Sequence, residues 1–235
     1  SALNDAPTAA IVPASFNATE QVDLVLSGAS MLSIGDVDAG AGNVLVTMSV
    51  GEGKLTVTAG TTGVNVSGSG TSAIRLTGTV TQINDLLAGL NGASVIYNDD
   101  RDAPAATTNL TLTVNDQGNT GGGALSASVI RVINIAAVND APTFTTSGTV
   151  GGSYTENGTA LKLVSGTIAV GDVDTTNFGG VTPGTLTASF AAYGAGDVLE
   201  INHEGLGAGQ VGISGANVSY GGTVVGSFAG GNGSN

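Results

Sequence analysis

The chain contains no cysteine and no tryptophan. Without thiols it can form neither disulfides nor thiolate metal sites, so any staple must come from oxygen ligands. Basic residues are also scarce: five Lys and Arg face eighteen Asp and Glu, for a net charge of −13. So acidic a chain neutralises few phosphates, which argues against a nucleic-acid partner, and anionic membrane surfaces repel it. No stretch approaches the roughly 18–20 consecutive apolar residues of a membrane helix, so membrane insertion is not expected. Long helical patterns are nearly absent, which removes the crossover helices a parallel α/β sheet needs. Yet 41% of the residues are hydrophobic, too many for a disordered acidic tail. The 235 residues allow one large domain or two smaller ones.

What fills the chain is short alternating runs rich in Val, Ile, Thr and Leu. Val44-Leu45-Val46-Thr47-Met48 and Lys54-Leu55-Thr56-Val57-Thr58 are two of them. Asn109-Leu110-Thr111-Leu112-Thr113-Val114 puts three apolar residues on one face and three polar ones on the other. Period-two alternation predicts half-buried strands. Gly, Asn, Asp and Ser clusters separate these runs, as turns require. Regular short strands with Gly-rich turns predict a β-sandwich. One segment differs: Ile83, Leu86, Leu87 and Leu90 lie at helical spacing and predict one or two helical turns. Asn91-Gly92 is the expected stop, ahead of a strand at Ala93–Tyr97.

The strongest signal is an internal repeat. Asn4-Asp5-Ala6-Pro7-Thr8 recurs 135 residues later as Asn139-Asp140-Ala141-Pro142-Thr143. Thr19-Glu20 recurs as Thr155-Glu156, and Ile34-Gly35-Asp36-Val37-Asp38 as Val170-Gly171-Asp172-Val173-Asp174, both at an offset of 136. The division predicted is a linker at 1–5, a sandwich over 6–138, a second linker at 139–142 and a second sandwich over 143–235. The second unit is expected to fall about 40 residues short of the first, being clipped or completed by another segment, and to expose sheet edges and apolar surface. The chain opens inside the repeated motif, so it is expected to be part of something longer.

Acids are few but grouped. Twelve of the eighteen are Asp5, Glu20, Asp36, Asp38, Asp99, Asp100, Asp102, Asp116, Asp140, Glu156, Asp172 and Asp174. Such grouping is destabilising by like-charge repulsion unless a cation intervenes. Carboxylate, amide and carbonyl oxygens suit Ca²⁺, which takes about 6–8 of them. In each Asp-x-Asp pair the central Val37 or Val173 is expected to pack inward, leaving both carboxylates aimed at one ion.

In this order the motifs resemble those of cadherin repeats, and in particular the cadherin-like tandem repeats of large bacterial surface adhesins with RTX-type export. Asn139-Asp140-Ala141-Pro142-Thr143-Phe144 is similar to the cadherin linker Asp-x-Asn-Asp-Asn-Ala-Pro-x-Phe. Asp100-Arg101-Asp102 is similar to Asp-Arg-Glu, and Asp36-Val37-Asp38 and Asp172-Val173-Asp174 to Asp-x-Asp. Glu20 and Glu156 stand where cadherins carry a Glu near the first strand. Leu112-Thr113-Val114-Asn115-Asp116-Gln117-Gly118-Asn119 resembles a phrase of the bacterial repeats. The resemblance spans the chain. It implies tandem Ig-like, cadherin-like β-sandwiches on a bacterial cell surface, stiffened by Ca²⁺ and serving adhesion or biofilm. Carried over residue by residue, it implies a junction site of Glu20, Asp100, Asp102, Asn139, Asp140, Asp172 and Asp174. A partial site at the N-terminal end would use Asn4, Asp5, Asp36 and Asp38, while Glu156 would await partners beyond residue 235. Two departures stand out: the linker is one residue shorter, and Asp102 replaces the longer Glu.

Plainer readings stand beside these. Asn-Asp-Ala-Pro alone reads as a turn, and its repetition together with Asp-x-Asp is what argues for more. Asp116-Gln117-Gly118-Asn119 reads as a hairpin turn, and Asp99 as solvated, because Asp100 and Asp102 match the motif better. The single His203 reads as a surface or turn residue, with no Gly-x-Ser-x-Gly elbow and no second His to build a hydrolase or zinc-protease site. A glycosidase would bring aromatic sugar platforms, and nine aromatics argue against it. The expectation is therefore a non-enzymatic module whose partners are neighbouring repeats of the same protein. The alternatives are a filament or matrix subunit that exchanges strands with other copies, and a carbohydrate-binding module.

Overall fold

The structure, a computed structural model, describes residues 3–119, 121–148, 151–163, 167–175, 184–190, 194 and 196–230. Strands are numbered below in chain order, β1 to β16. The period-two pattern of the sequence becomes a period-two pattern in space. In Val44–Val50 (β5) every second residue from Val44 is buried, and in Thr107–Asn115 (β10) Leu110, Leu112 and Val114 point inward. These strands lie at the centre of a six-stranded sheet. Its order is β2 (Ser15–Thr19), β11 (Ser126–Ala136), β10, β5, β8 (Ala73–Gly78) and β7 (Asn65–Ser67). All neighbours are antiparallel except β2 and β11, which run parallel from Ser15↔Val132 to Thr19↔Ala136.

A second sheet of three strands, β3 (Leu24–Val25), β9 (Ser94–Asn98) and β6 (Lys54–Thr58), contributes Leu55, Val57, Val95 and Tyr97 to the same core. A two-stranded pair, β1 (Thr8–Ile11) with β4 (Leu32–Gly35), adds Ile11, Leu32 and Ile34. The fold is thus an all-β sandwich with one contiguous hydrophobic core.

The predicted helix forms as α1 (Val80–Leu87). A capping box starts it: Thr79 Oγ1 accepts the Gln82 N–H and Gln82 Oε1 accepts the Thr79 N–H. Ile83, Leu86 and Leu87 are fully buried, as their spacing requires. Leu90 departs from expectation: it is 52% exposed, because the helix closes at Ala88 and Gly89 takes φ +74° before a fourth apolar position is reached. The predicted strand follows one residue late, as β9.

The repeat seen in the sequence is a repeat of structure. Past the Asn139–Pro142 linker, β12 (Thr143–Thr146) pairs antiparallel with β13 (Ile168–Gly171). Thr143 faces Gly171 just as Thr8 faces Gly35 in β1–β4. Thr143 Oγ1 donates to Gly171 O at 3.0 Å, and Thr8 Oγ1 to Gly35 O at 3.3 Å.

By compactness the chain divides into Ser1–Asp174 and Thr175–Asn235, so this second hairpin belongs with the first unit. The second unit carries an antiparallel meander of β14 (Val211–Ser214), β15 (Asn217–Tyr220) and β16 (Thr223–Ser227). Among its described residues only Gly212 and Ser219 are buried, and Tyr220, Val224 and Val225 are exposed.

Candidate metal centre

Three inward-facing stripes of the first unit end on an acid. In β2 the stripe Phe16, Ala18 continues to Glu20; in β9, Val95 and Tyr97 continue to Asp99; in β10, Leu110, Leu112 and Val114 continue to Asp116. Strand parity carries each carboxyl group inside, where Glu20 and Asp99 are each 1% exposed and Asp116 is fully buried.

Glu20 and Asp99 lie at the end of the sandwich that faces the Asn139–Pro142 linker. Glu20 N–H donates to Ala136 O at 3.0 Å, and the Gln21 N–H donates to Asp99 O at 2.6 Å. Gln21 takes φ +60°, and its side-chain amide donates to Asp102 Oδ1 at 3.0 Å. Both carboxylate oxygens of Glu20 are buried with no hydrogen-bond partner, and so is Asp99 Oδ2. Asp99 Oδ1 accepts the Arg101 N–H at 3.3 Å, and the carboxyl also lies against the Glu52 carboxyl and the Tyr97 hydroxyl. Burial first, and then the neighbouring Glu52, push the Asp99 carboxyl above its ordinary range.

The linker brings the second group of acids to the same place. Asp140 N–H donates to Asp174 Oδ2 at 2.6 Å, and Asp174 N–H to Asp172 Oδ1 at 2.9 Å. Asp140 Oδ2 is buried without a partner. Burial, followed by the charges of Asp102, Asp174 and Asp172, raises the Asp140 carboxyl, and the Gln21 amide partly offsets them. Asp102, Asp140, Asp172 and Asp174 therefore share one electrostatic neighbourhood. Asn139 is beside them but exposed, its amide donating to Asp140 O at 3.0 Å. Asp100 turns away: it is exposed and forms an ion pair with Lys54 Nζ at 2.6 Å, which holds its carboxyl below the usual range.

The opposite end repeats the pattern. Asp5 N–H donates to Asp38 Oδ2 at 2.9 Å, and Asp36 Oδ1 accepts the Asp38 and Ala39 N–H groups at 3.1 and 3.0 Å. Asp36 Oδ2 is buried without a partner, and burial, reinforced by Asp38, raises this carboxyl. Asn4 is held differently from Asn139. Its amide donates to Asp116 Oδ2 at 2.7 Å and Gly123 O at 2.9 Å, which leaves Asn4 Oδ1 buried and unpartnered. Asp116 Oδ1 accepts the Gly118 and Leu125 N–H groups, each at 2.8 Å. Burial raises Asp116, but these donors outweigh it and hold the carboxyl below its ordinary value.

One expectation is corrected. Val37 and Val173 do not pack inward; they are 81% and 50% exposed. The first Asp of each pair accepts the N–H of the second, closing a tight Asx turn in place of an extended strand. The turn, and not strand alternation, orients the carboxylates. Glu156 is exposed. His203 is also exposed, as a turn residue would be, with Nδ1 accepting the Ile213 N–H at 2.8 Å.

Among the described residues no group of three or more Asp, Glu or His side chains is placed to hold a metal ion. The chemistry of the donors nonetheless fits a hard divalent cation. All are carboxylate or amide oxygens, and buried oxygens without donors of their own stand at both ends. No protein-family model matches the chain, and no curated protein matches it.

Proposed function

We propose that the chain is a non-enzymatic extracellular repeat module of a bacterial adhesin, stiffened by Ca²⁺ at the joint between repeats. Glu20 is the observation that carries this reading. An ionised carboxylate with both oxygens buried and no donor costs several kcal/mol unless a cation or a proton meets it. Glu20 stands beside the one place where acids from the first sandwich, the linker and the second hairpin gather. Glu20, Asp102, Asn139, Asp140, Asp172 and Asp174 would hold the ion there, and Asn4, Asp5, Asp36 and Asp38 would contribute to an equivalent site at the other end. A bound Ca²⁺ supplies positive charge to carboxylates that otherwise repel.

The ligands come from segments on both sides of the linker, so gripping the ion and fixing the joint are the same event. Binding free energy then appears as stiffness by linkage. Extracellular modules bind calcium at about 10⁻⁴–10⁻³ M, a range that external fluids fill and cytosol does not. The test is calorimetric titration with Ca²⁺, paired with small-angle scattering in Ca²⁺ and in chelator. Saturable binding with a more extended, narrower set of dimensions is expected. No binding heat together with identical scattering profiles sinks the reading.

A filament subunit is the second reading, favoured by the uncovered Tyr220, Val224 and Val225 on β15 and β16. Sedimentation at rising concentration separates the two: self-association supports the filament, and a strict monomer removes it.

A further inference from the structure

Asp99, and not Asp100, is the member of the Asn98–Asp102 run that belongs to the joint, and we infer that it is a direct ligand of the cation held there. This rests on the calcium reading above and changes which residues carry it. Motif spacing gives the place to Asp100, but strand parity gives it to Asp99. Tyr97 and Asp99 lie on the inward face of β9 and its extension, while Asn98 and Asp100 point the other way.

Asp100 is committed elsewhere. Its Oδ2 meets Lys54 Nζ at 2.6 Å, and its side chain is 66% exposed. It has a cation already. Asp99 has no ion pair among the described residues: its carboxyl lies against the Glu52 carboxyl and the Tyr97 hydroxyl, and its Oδ2 is buried without a well-formed hydrogen bond. Arg101, whose charge reaches Asp99, is paired with Glu52 Oε2 at 3.3 Å. The remaining Glu52 oxygen accepts the Ala105 N–H at 2.8 Å, so Glu52 is occupied as well.

Asp99 is also fastened to the segment that bears Glu20, through the 2.6 Å bond from the Gln21 N–H to Asp99 O. Glu20 and Asp99 are the two carboxylates at this end that combine near-complete burial with orphaned oxygens. Each is an independent sign of a missing positive partner, and the backbone bond holds their segments together. Asp102, tied to Gln21, and Asp140, whose carboxyl feels the charge of Asp102, are the next acids on the way to the linker.

The experiment compares the whole chain with Asp99→Asn and Asp100→Asn. Each is titrated with CaCl₂ by calorimetry and melted in chelator and in saturating Ca²⁺. Asp99→Asn removes a buried charge while keeping shape. It is expected to melt at or above the wild-type temperature in chelator, yet to bind Ca²⁺ about 10-fold or more weakly. That opposite-signed pair is the signature of a ligand, because a merely structural residue lowers both. Asp100→Asn is expected to bind within about 2-fold of wild type, as an exposed surface pair contributes little. A wild-type affinity in Asp99→Asn, or a loss confined to Asp100→Asn, overturns the assignment while leaving the calcium reading intact. A wild-type chain that binds no Ca²⁺ overturns both.

Discussion

Replacing Asp116 with Ala tests whether a single buried carboxylate holds the far end of the sandwich together. The side chain accepts from Gly118 N–H and Leu125 N–H at 2.8 Å each, and from the Asn4 amide at 2.7 Å. Each bond to a charged group is worth about 1.5–3 kcal/mol, and truncation strands three partly buried donors. The three converge on one group and do not add in full, and the cost of burying the charge is recovered. A net loss of about 3–4 kcal/mol follows, large against the ~5–15 kcal/mol of a typical domain. For a unit of this size that is a fall of roughly 10 °C in melting temperature.

Differential scanning calorimetry in chelator reads this directly, free of any metal contribution. The effect also has a pH signature. The folded-state pKa of Asp116 is depressed, so its contribution is full above the unfolded value of about 3.9 and is lost as pH falls through the folded value. The gap between wild type and Asp116→Ala should therefore be widest near neutrality and close in strong acid. A variant that melts within about 2 °C of wild type at neutral pH would refute the argument that this carboxylate is a structural clamp.

Two further substitutions probe the frame around the site. Gly53→Ala should cost about 1–3 kcal/mol in urea unfolding, since Gly53 sits at φ +80° and a Cβ there would come within 2.7 Å of both Asn98 O and Tyr97 Cε2. Thr79→Ala should cost about 1 kcal/mol, with an unchanged denaturant slope, by removing the hydroxyl half of the capping box on α1.

Most of the frame was legible because burial on one face of a strand imposes a period of two. Val44 to Met48, Lys54 to Thr58 and Asn109 to Val114 all fold as that rule demands. The repeat was legible too: the bonds of Asp5, Asp38 and Thr8 recur at Asp140, Asp174 and Thr143, while Asn4 and Asn139 are held differently. The details of the acids were harder to read. Asx turns override alternation at Asp36 and Asp172, because each carboxylate accepts the N–H two residues on, and this turns Val37 and Val173 outward. Motif spacing favours Asp100 over Asp99, and turn composition explains the 116–119 segment without saying that the Asp116 carboxyl is buried. The signal was present: counting by twos from Val95 and from Leu110 lands on both. The pairing of Asp100 with Lys54 joins residues far apart in the chain, and only the register of β6 against β9 brings them together.

The parallel pairing of β2 with β11 has a mechanical consequence. β2 stands near the start of the sandwich and β11 at its close, side by side and pointing the same way. Tension drawn in ahead of Ser15 and out behind Ala136 slides these two strands lengthwise past each other. The rungs from Ser15↔Val132 to Thr19↔Ala136 are then strained all at once, not peeled one by one as at a hairpin tip. A pull along the polypeptide thus meets this sandwich along its most resistant direction.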